Sequence, residues 1–229
     1  YTYIYMEGLL LDNLINAEII KEPYEHTVFQ LFSKELCNKL IKNYYEINEY
    51  LNNKNKLSTS RFMLDVEGDT YNGVYFDRYP FLKNIEPLYS VLNMYAKRIV
   101  IEHYKKYYKL DKHFRFTLQL VYDKKNYSIG PHTDSFKRVA TQITYIVCDD
   151  DVDKKLGVCV YKDLINRHKD KWEKTHYSFD NFEKVKQIEY YPGSSVNFRV
   201  HPNSFHGVEK INVDCNRMSI QTILWKEGY

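Results

Sequence analysis

Hydrophobic periodicity in the first half of the chain predicts a strand and two helices. Residues from His26 to Phe32 have the composition of an extended strand. Ser33 is a suitable helix N-cap, and apolar residues then recur at helical spacing: Leu36, Cys37, Leu40, Ile41 and Tyr44. Pro87 suits the first turn of a second helix, whose apolar stripe comprises Leu88, Val91, Leu92, Tyr95 and Ile99. The polar segment between the helices, Glu49–Pro80, predicts a long irregular connection with short strands.

The second half of the chain has the alternation typical of β-strands. Six strands are predicted: Phe116–Tyr122, Ala140–Val147, Gly157–Tyr161, Ser194–Val200, His206–Ile211 and Met218–Trp225. A long polar insertion, Asp163–Gln187, separates the third from the fourth. Helices followed by short strands predict an antiparallel sandwich or barrel with helical support. We expect a single domain over residues 1–229, with residues 1–113 as helical and extended support and residues 114–229 as the β core.

Composition and charge narrow the choice of partner. The chain has 229 residues, of which 44% are hydrophobic and 28% charged, as in a soluble globular domain. Its net charge of +3 is too weak and too dispersed to predict nucleic-acid binding. No apolar stretch approaches the ~20 residues that span a bilayer, so no membrane partner is expected. The short run Leu9-Leu10-Leu11 lacks a basic leader, so no signal peptide is expected.

The cysteines carry little information about function. Cys37, Cys148, Cys159 and Cys215 are scattered and form no C-x-x-C pair. They predict reduced thiols and an intracellular, cytoplasmic protein, although a bridge between Cys148 and Cys159 stays open for an oxidising compartment. The sequence begins with Tyr rather than Met, which predicts that further residues precede it.

One short string carries the candidate chemistry, Gly130-Pro131-His132-Thr133-Asp134. On an extended chain residues i and i+2 point the same way, so His132 and Asp134 leave one face together. A second histidine, His206, follows a later predicted strand. Two histidines and one carboxylate on one side of a metal leave the opposite positions open, which suits non-haem Fe(II). By itself the H-x-D pattern is weak, because a solvated surface loop has the same residues.

The surroundings of this string strengthen the metal hypothesis. The H-x-D pair follows a strand and a Gly-Pro turn, a β-rich strand comes next, and a Pro192-Gly193 turn opens the strand before His206. Arg217 lies eleven positions after His206, and Ser219 shares its strand face. An arginine can bind a carboxylate bidentately, and a serine hydroxyl can assist. This pair could therefore bind the far end of a dicarboxylate that chelates the metal through a 2-oxo acid group.

In their order, these motifs resemble the prolyl-hydroxylase-like group of Fe(II)/2-oxoglutarate dioxygenases, over about Thr117 to Trp225. The resemblance implies a double-stranded β-helix (jelly-roll) core after N-terminal helices. It places the iron ligands at His132, Asp134 and His206, and the co-substrate anchor at Arg217 with Ser219. It also implies that Tyr145 binds the far carboxylate of 2-oxoglutarate and that Tyr122 lines the co-substrate pocket. The family often has Gly-Gly where this chain has Leu156-Gly157.

The resemblance implies a hydroxylase that uses Fe(II), 2-oxoglutarate and O₂, with ascorbate as a reductant, and releases succinate and CO₂. The substrate stays open between a free amino acid, a sugar or lipid-linked sugar, and a protein side chain, and so does the oligomeric state. The insertion Asp163–Gln187, which carries Trp172, is expected to govern substrate choice. Two alternatives remain: a zinc-dependent hydrolase on the same ligands, and a non-catalytic β-barrel binding module.

Other polar residues are predicted to be structural or solvent-exposed. His201 lies in a His-Pro turn, and a solvated turn is predicted for Ser135, Lys137 and Arg138, which could otherwise meet an anionic substrate. The same prediction applies to the acidic run Asp149–Asp151 and to His168 and His176 in the insertion.

Overall fold

The computed structural model describes residues 7–52, 60–69, 72–94, 114–147, 153–167 and 176–226. The helices are α1 (Leu11–Ile15), α2 (Lys34–Asn52) and α3 (Leu88–Met94), with short 3₁₀ turns at Pro80–Asn84, Lys154–Leu156 and Phe179–Asn181. The strands are β1 (His26–Gln30), β2 (Arg61–Asp69), β3 (Gly73–Val74), β4 (Arg115–Asp123), β5 (Ile129–His132), β6 (Arg138–Ile146), β7 (Cys159–Asp163), β8 (Phe182–Gln187), β9 (Ser194–Arg199), β10 (His206–Val208) and β11 (Arg217–Trp225).

The strands form two antiparallel sheets. The major sheet has seven strands in the order β1-β9-β6-β11-β4-β2-β3, and the minor sheet has four in the order β5-β10-β7-β8. One hydrophobic cluster lies between the sheets and includes Ile143, Val158, Val160, Val196 and Phe198. Another joins the opposite face of the major sheet to the helices. This architecture confirms the predicted mainly-β fold with N-terminal helices.

Helix α2 forms as its sequence predicts, and it supports the strand that carries the candidate anchor. The Ser33 hydroxyl accepts a hydrogen bond from the Leu36 amide at 3.2 Å, which caps the first turn. The residues of its predicted stripe are buried or half-buried against the major sheet. At the far end of the stripe, the Tyr44 hydroxyl donates to the backbone carbonyl of Ser219 at 2.7 Å. This bond ties α2 directly to β11.

The structure corrects three boundaries. The segment Glu49–Pro80 holds a longer strand than the short ones predicted, because β2 runs for nine residues and pairs with β4 along its whole length. The insertion after Asp163 is shorter than predicted, because its last six residues form β8 and pair with β7. Gly130 and Pro131 lie inside strand β5 rather than in a turn before the metal motif.

Several predictions fall outside the described residues, namely those on Tyr95, Ile99, Cys148, Asp149–Asp151, His168 and Trp172. Cys37, Cys159 and Cys215 are present as thiols. Among the described helices, none combines the length and the apolar character needed to cross a membrane.

Candidate active site

The two candidate histidines meet through strand pairing. His132 ends β5 and His206 begins β10, and the two residues are direct partners in the antiparallel ladder. His132 Nδ1 lies 2.9 Å from the Gly130 carbonyl oxygen, and His206 Nδ1 lies 3.0 Å from the Ser204 carbonyl oxygen. Because a carbonyl oxygen can only accept, each Nδ1 carries the proton and donates it. Each Nε2 therefore presents a lone pair, as a metal ligand requires.

Asp134 completes the group two residues after His132. Its Oδ2 lies 4.0 Å from His206 Nε2, and the ligand atoms of the three residues all lie within 4.8 Å of one another. Both carboxylate oxygens also have protein partners. Arg138 Nη1 donates to Oδ1 at 2.6 Å, and Thr141 Oγ1 donates to Oδ2 at 2.5 Å. These two bonds fix the orientation of the carboxylate toward the histidines.

The electrostatics give these three residues the protonation states of metal ligands. Burial, followed by the neighbouring His206, lowers the pKa of His132 to about 3. Burial also lowers the pKa of His206. For Asp134, burial alone would raise the pKa, but the Arg138 guanidinium is the first of several groups that outweigh it, and the pKa falls to about 2. At neutral pH the group is therefore two neutral imidazoles and one ionised carboxylate.

The three residues lie in the wall of a cavity of about 650 Å³. Exposed residues such as Phe136 and Lys137 belong to its outer part, whereas Arg217 is 1% exposed and marks its inner end. Further wall residues are Arg61, Met63, Gln119, Tyr127, Ile129, Ile143, Val158, His176, Val208, Gln221 and Trp225. One cavity thus joins the metal-ligand group to a deeply buried arginine.

Arg217 is held by three contacts inside the protein. Its Nε donates to the Leu156 carbonyl at 2.6 Å, and its Nη1 donates to Asp123 Oδ2 at 2.5 Å. Its Nη2 lies 3.4 Å from the Tyr145 hydroxyl, and the guanidinium stands over the Tyr145 ring, 5.2 Å from its centroid. An arginine keeps its charge when buried, and both Arg217 and Arg61 contact the single carboxylate of Asp123, so the inner end of the cavity is cationic.

Tyr145 and Ser219 lie beside Arg217, as the resemblance implies. The Tyr145 hydroxyl accepts from the Val158 amide at 2.7 Å, and Ser219 is the strand partner of Tyr145 across β6 and β11. The Ser219 hydroxyl is buried and has no hydrogen-bond partner in the described part of the chain. Arg217 lines the cavity, whereas Tyr145 and Ser219 do not. Their binding role stays a prediction.

The placement of Tyr122 in the co-substrate pocket needs correction. Tyr122 packs in the cluster between the major sheet and the helices, and its hydroxyl donates to the Asn216 side chain. Its neighbour Asp123 points the other way, toward Arg217. Successive side chains of a strand face opposite sides of the sheet, so Tyr122 is directed away from the cavity. Among the described tyrosines, Tyr127 lines the cavity.

Known structures with this architecture were found, although no protein-family profile and no curated protein matches the sequence. A prolyl 4-hydroxylase from Phytophthora capsici superposes with a TM-score of 0.55 and 15% identity over 88% of this chain. The α-ketoglutarate-dependent carbocyclase SnoK, from nogalamycin biosynthesis, superposes with a TM-score of 0.55 and 11% identity over 88% of this chain and 80% of its own. HygX from Streptomyces hygroscopicus was solved with nickel and 2-oxoglutarate bound. It superposes with a TM-score of 0.50 and 10% identity over 89% of this chain and 83% of its own.

The fold is the jelly roll of the Fe(II)/2-oxoglutarate oxygenases. The predicted double-stranded β-helix core is thereby confirmed. This chain spans 59% of the length of the Phytophthora enzyme. At identities of 10–15% the likeness is one of fold, so the chemistry has to come from the residues of this chain.

Those residues fit an iron site. Two neutral imidazole nitrogens and one carboxylate oxygen converge from one wall of a cavity that continues past them. This is the donor set of a facial His₂-carboxylate site, which leaves coordination positions open for other ligands. Arg217 at the inner end can pair with a carboxylate.

Sequence reasoning missed several residues of the site. Asp123 and Arg61 sit at the inner end, but their roles depend on the pairing of β2, β4 and β11. Arg138 was predicted to lie in a solvated turn, yet it is half-buried and ion-paired with Asp134. The only available signal was its position four residues after that carboxylate.

Two other histidines are placed as follows. His201 is exposed in its turn and accepts a hydrogen bond from the Asn203 amide, as a structural residue would. His176 is exposed, as predicted, but it also lines the cavity and its ring centroid lies 4.8 Å from that of His132. The described end of the insertion thus reaches the metal-ligand group. Tyr177 next to it donates its amide to the Pro131 carbonyl at 2.9 Å.

Proposed function

We propose that this protein is an Fe(II)- and 2-oxoglutarate-dependent dioxygenase that hydroxylates a small molecule, a sugar or a protein side chain. The observation that carries the proposal is the shared cavity, which has His132, Asp134 and His206 in its wall and Arg217 at its inner end. A metal-chelating 2-oxo acid with a second carboxylate needs both features, at opposite ends of one molecule.

Each ligand residue has a defined task. His132 and His206 would bind Fe(II) through Nε2, since their Nδ1 atoms donate to backbone carbonyls. Asp134 would supply the negative charge, and Arg138 and Thr141 would keep its carboxylate oriented. Bound iron supplies the activation of O₂ that couples oxidative decarboxylation of 2-oxoglutarate to oxidation of the substrate.

The remaining wall residues would orient the co-substrate and exclude water. Arg217 would bind the far carboxylate, with Tyr145 and Ser219 as hydroxyl neighbours. Apolar side chains of the wall suit the methylene groups of a 2-oxo dicarboxylate: Ile129, Ile143, Val158 and Val208. Apolar side chains between the metal-ligand group and the arginine favour a molecule of that pattern.

A zinc-dependent hydrolase is the second candidate. Zn²⁺ accepts the same three ligands, and hydrolysis needs a general base near the metal. His176, against His132 in the cavity wall, is placed for that task. A hydrolase would make no use of the buried Arg217. An intact ligand group with an intact arginine also speaks against a binding module without turnover.

The test is succinate formation from 2-oxoglutarate under air. Metal-free protein is reconstituted with Fe(II) or with Zn²⁺, and the Asp134→Ala variant serves as the inactive reference. The proposal predicts succinate with Fe(II) alone, slow without a substrate and faster when a compound from a substrate screen is accepted. If no succinate forms under any condition and a zinc-dependent hydrolytic activity is found instead, the second candidate is favoured.

A further inference from the structure

Two arginines from different strands share one buried carboxylate at the inner end of the cavity. Asp123 of β4 is 0% exposed, and it pairs in register with Arg217 of β11 on one side and with Arg61 of β2 on the other. Arg217 Nη1 lies 2.5 Å from Asp123 Oδ2. Arg61 Nε lies 2.7 Å from Oδ1, and Arg61 Nη2 lies 3.3 Å from Oδ2. The three residues form one row across three strands.

The cavity meets the two arginines and not the aspartate. Both arginines are wall residues, whereas the fully buried Asp123 is not. Arg61 is also held on its face, because its Cζ lies 4.3 Å from the ring centroid of Tyr127, another wall residue. Edge contacts to Asp123 and a face contact to Tyr127 fix where the Arg61 guanidinium stands.

We propose that Arg61 is a second binding residue for the far carboxylate of 2-oxoglutarate, and that Asp123 positions Arg61 and Arg217 for it. The proposal rests on the proposed function. The two guanidinium groups carry two positive charges, and Asp123 balances only one of them. The far carboxylate of 2-oxoglutarate would balance the other. A carboxylate has lone pairs enough to accept from both arginines at once. The co-substrate anchor is thus a pair of arginines from β2 and β11.

The competing explanation is that Arg61 has only a structural role, holding Asp123 in place. Its replacement would then change the stability of the protein and weaken the binding of every ligand of the cavity to a similar degree. A binding residue would weaken only ligands that carry the far carboxylate. The comparison of two 2-oxo acids with the same chelating end separates these roles. 2-Oxobutyrate is suitable, because it has no second carboxylate.

The experiment is a calorimetric titration of Ni(II)-loaded protein with 2-oxoglutarate and, separately, with 2-oxobutyrate. In Arg61→Gln we expect the Kd for 2-oxoglutarate to rise about tenfold or more, a change of about 1.4 kcal/mol or more. The Kd for 2-oxobutyrate should stay at the wild-type value. The matched control is Arg115→Gln, which removes another β4–β2 ion pair, Arg115 with Glu67, at exposed positions. The control should leave both affinities unchanged.

The other outcomes contradict the proposal in distinguishable ways. An equal loss for both ligands, or no loss, would show that Arg61 has only a structural role. If Arg61→Gln does not fold, Arg61→Lys keeps the charge beside Asp123 but loses the planar fork, and a wild-type affinity for 2-oxoglutarate there would overturn the proposal. Failure of the proposed function itself has a different signature, because wild-type Ni(II)-loaded protein would then bind neither 2-oxo acid.

Discussion

His132 and His206 are direct partners in the antiparallel strands β5 and β10, and their ring centroids lie 4.4 Å apart. The register of these two strands therefore builds the metal-ligand group. A slip of one residue would turn one histidine to the other face of the minor sheet. The backbone carbonyls that hold Nδ1 of each ring come from the same short segments, so the site is set by local strand geometry.

Replacing His206 with Ala should abolish tight metal binding, because only two ligands would remain. Metal content after reconstitution and desalting, measured by mass spectrometry, should fall from one ion per chain to a trace. The control is His201→Ala, which removes an exposed histidine nearby and should retain the metal. A His206→Ala protein that keeps a full complement of metal would place the ligands elsewhere.

Replacing Arg217 with Ala should raise the 2-oxoglutarate requirement far more than it affects metal binding. Truncating one partner of a buried charge pair costs about 2–5 kcal/mol, so we expect the KM for 2-oxoglutarate to rise by at least about tenfold. Steady-state kinetics with metal content determined in parallel checks this result. An unchanged KM would mean that the far carboxylate binds at another residue, with Arg61, which shares Asp123 with Arg217, the next candidate.

Gly157→Ala should destabilise the protein and impair the anchor together. A Cβ at this position would lie 1.5 Å from the Ile188 carbonyl oxygen, so the backbone has to move. The neighbouring Leu156 carbonyl and Val158 amide hold Arg217 and the Tyr145 hydroxyl. We expect a loss of about 1–3 kcal/mol of unfolding free energy and a higher KM for 2-oxoglutarate.

Thermal unfolding and steady-state kinetics measure the two effects of Gly157→Ala. The exposed neighbour Lys155 provides the control, since Lys155→Ala should change neither quantity. A Gly157→Ala protein with wild-type stability would contradict the close approach of Gly157 to the Ile188 carbonyl.

The metal-free protein should lose stability as the pH falls below about 6.5. In the folded state the pKa of His132 is about 3, below the ordinary 6.5 that applies to the unfolded chain. Between these values the unfolded state binds the extra proton, so unfolding becomes more favourable as the pH falls. One such group contributes up to about 1.4 kcal/mol per pH unit. His206, whose pKa is also lowered, acts in the same direction.

Comparison of wild type with His132→Gln isolates this effect. The free energy of unfolding of both metal-free proteins is measured between pH 7.5 and pH 5.5, and the variant should show a shallower decline. Identical declines would mean that His132 takes up its proton in the folded protein as readily as in the unfolded one.

How far the sequence predicts this molecule depends on how local each feature is. His132 and Asp134 could be predicted from their two-residue spacing and the motifs around them, and Ser33 could be predicted because capping is local. The position and nine-residue length of strand β2 were not predicted, although Phe62, Leu64 and Val66 alternate with more exposed residues, because Asn- and Gly-rich sequence flanks it.

The inner end of the cavity was harder to predict. Its row of Arg61, Asp123 and Arg217 depends on the register of three strands that are distant in sequence. Tyr122 was predicted to line the co-substrate pocket, but the next residue, Asp123, faces that side. Adjacent residues of β4 face opposite sides of the sheet. Spacing along the chain identifies a candidate residue, but strand pairing decides which side it faces.

Mass spectrometry of succinate formed under ¹⁸O₂ tests the central claim most directly. Fe(II)-loaded protein is incubated with unlabelled 2-oxoglutarate in ordinary water under the labelled gas. An Fe(II)/2-oxoglutarate dioxygenase places one oxygen atom of O₂ in the new carboxylate, so we predict succinate that carries a single ¹⁸O atom, and none from the Asp134→Ala protein. No succinate, or succinate without the label, would contradict the account.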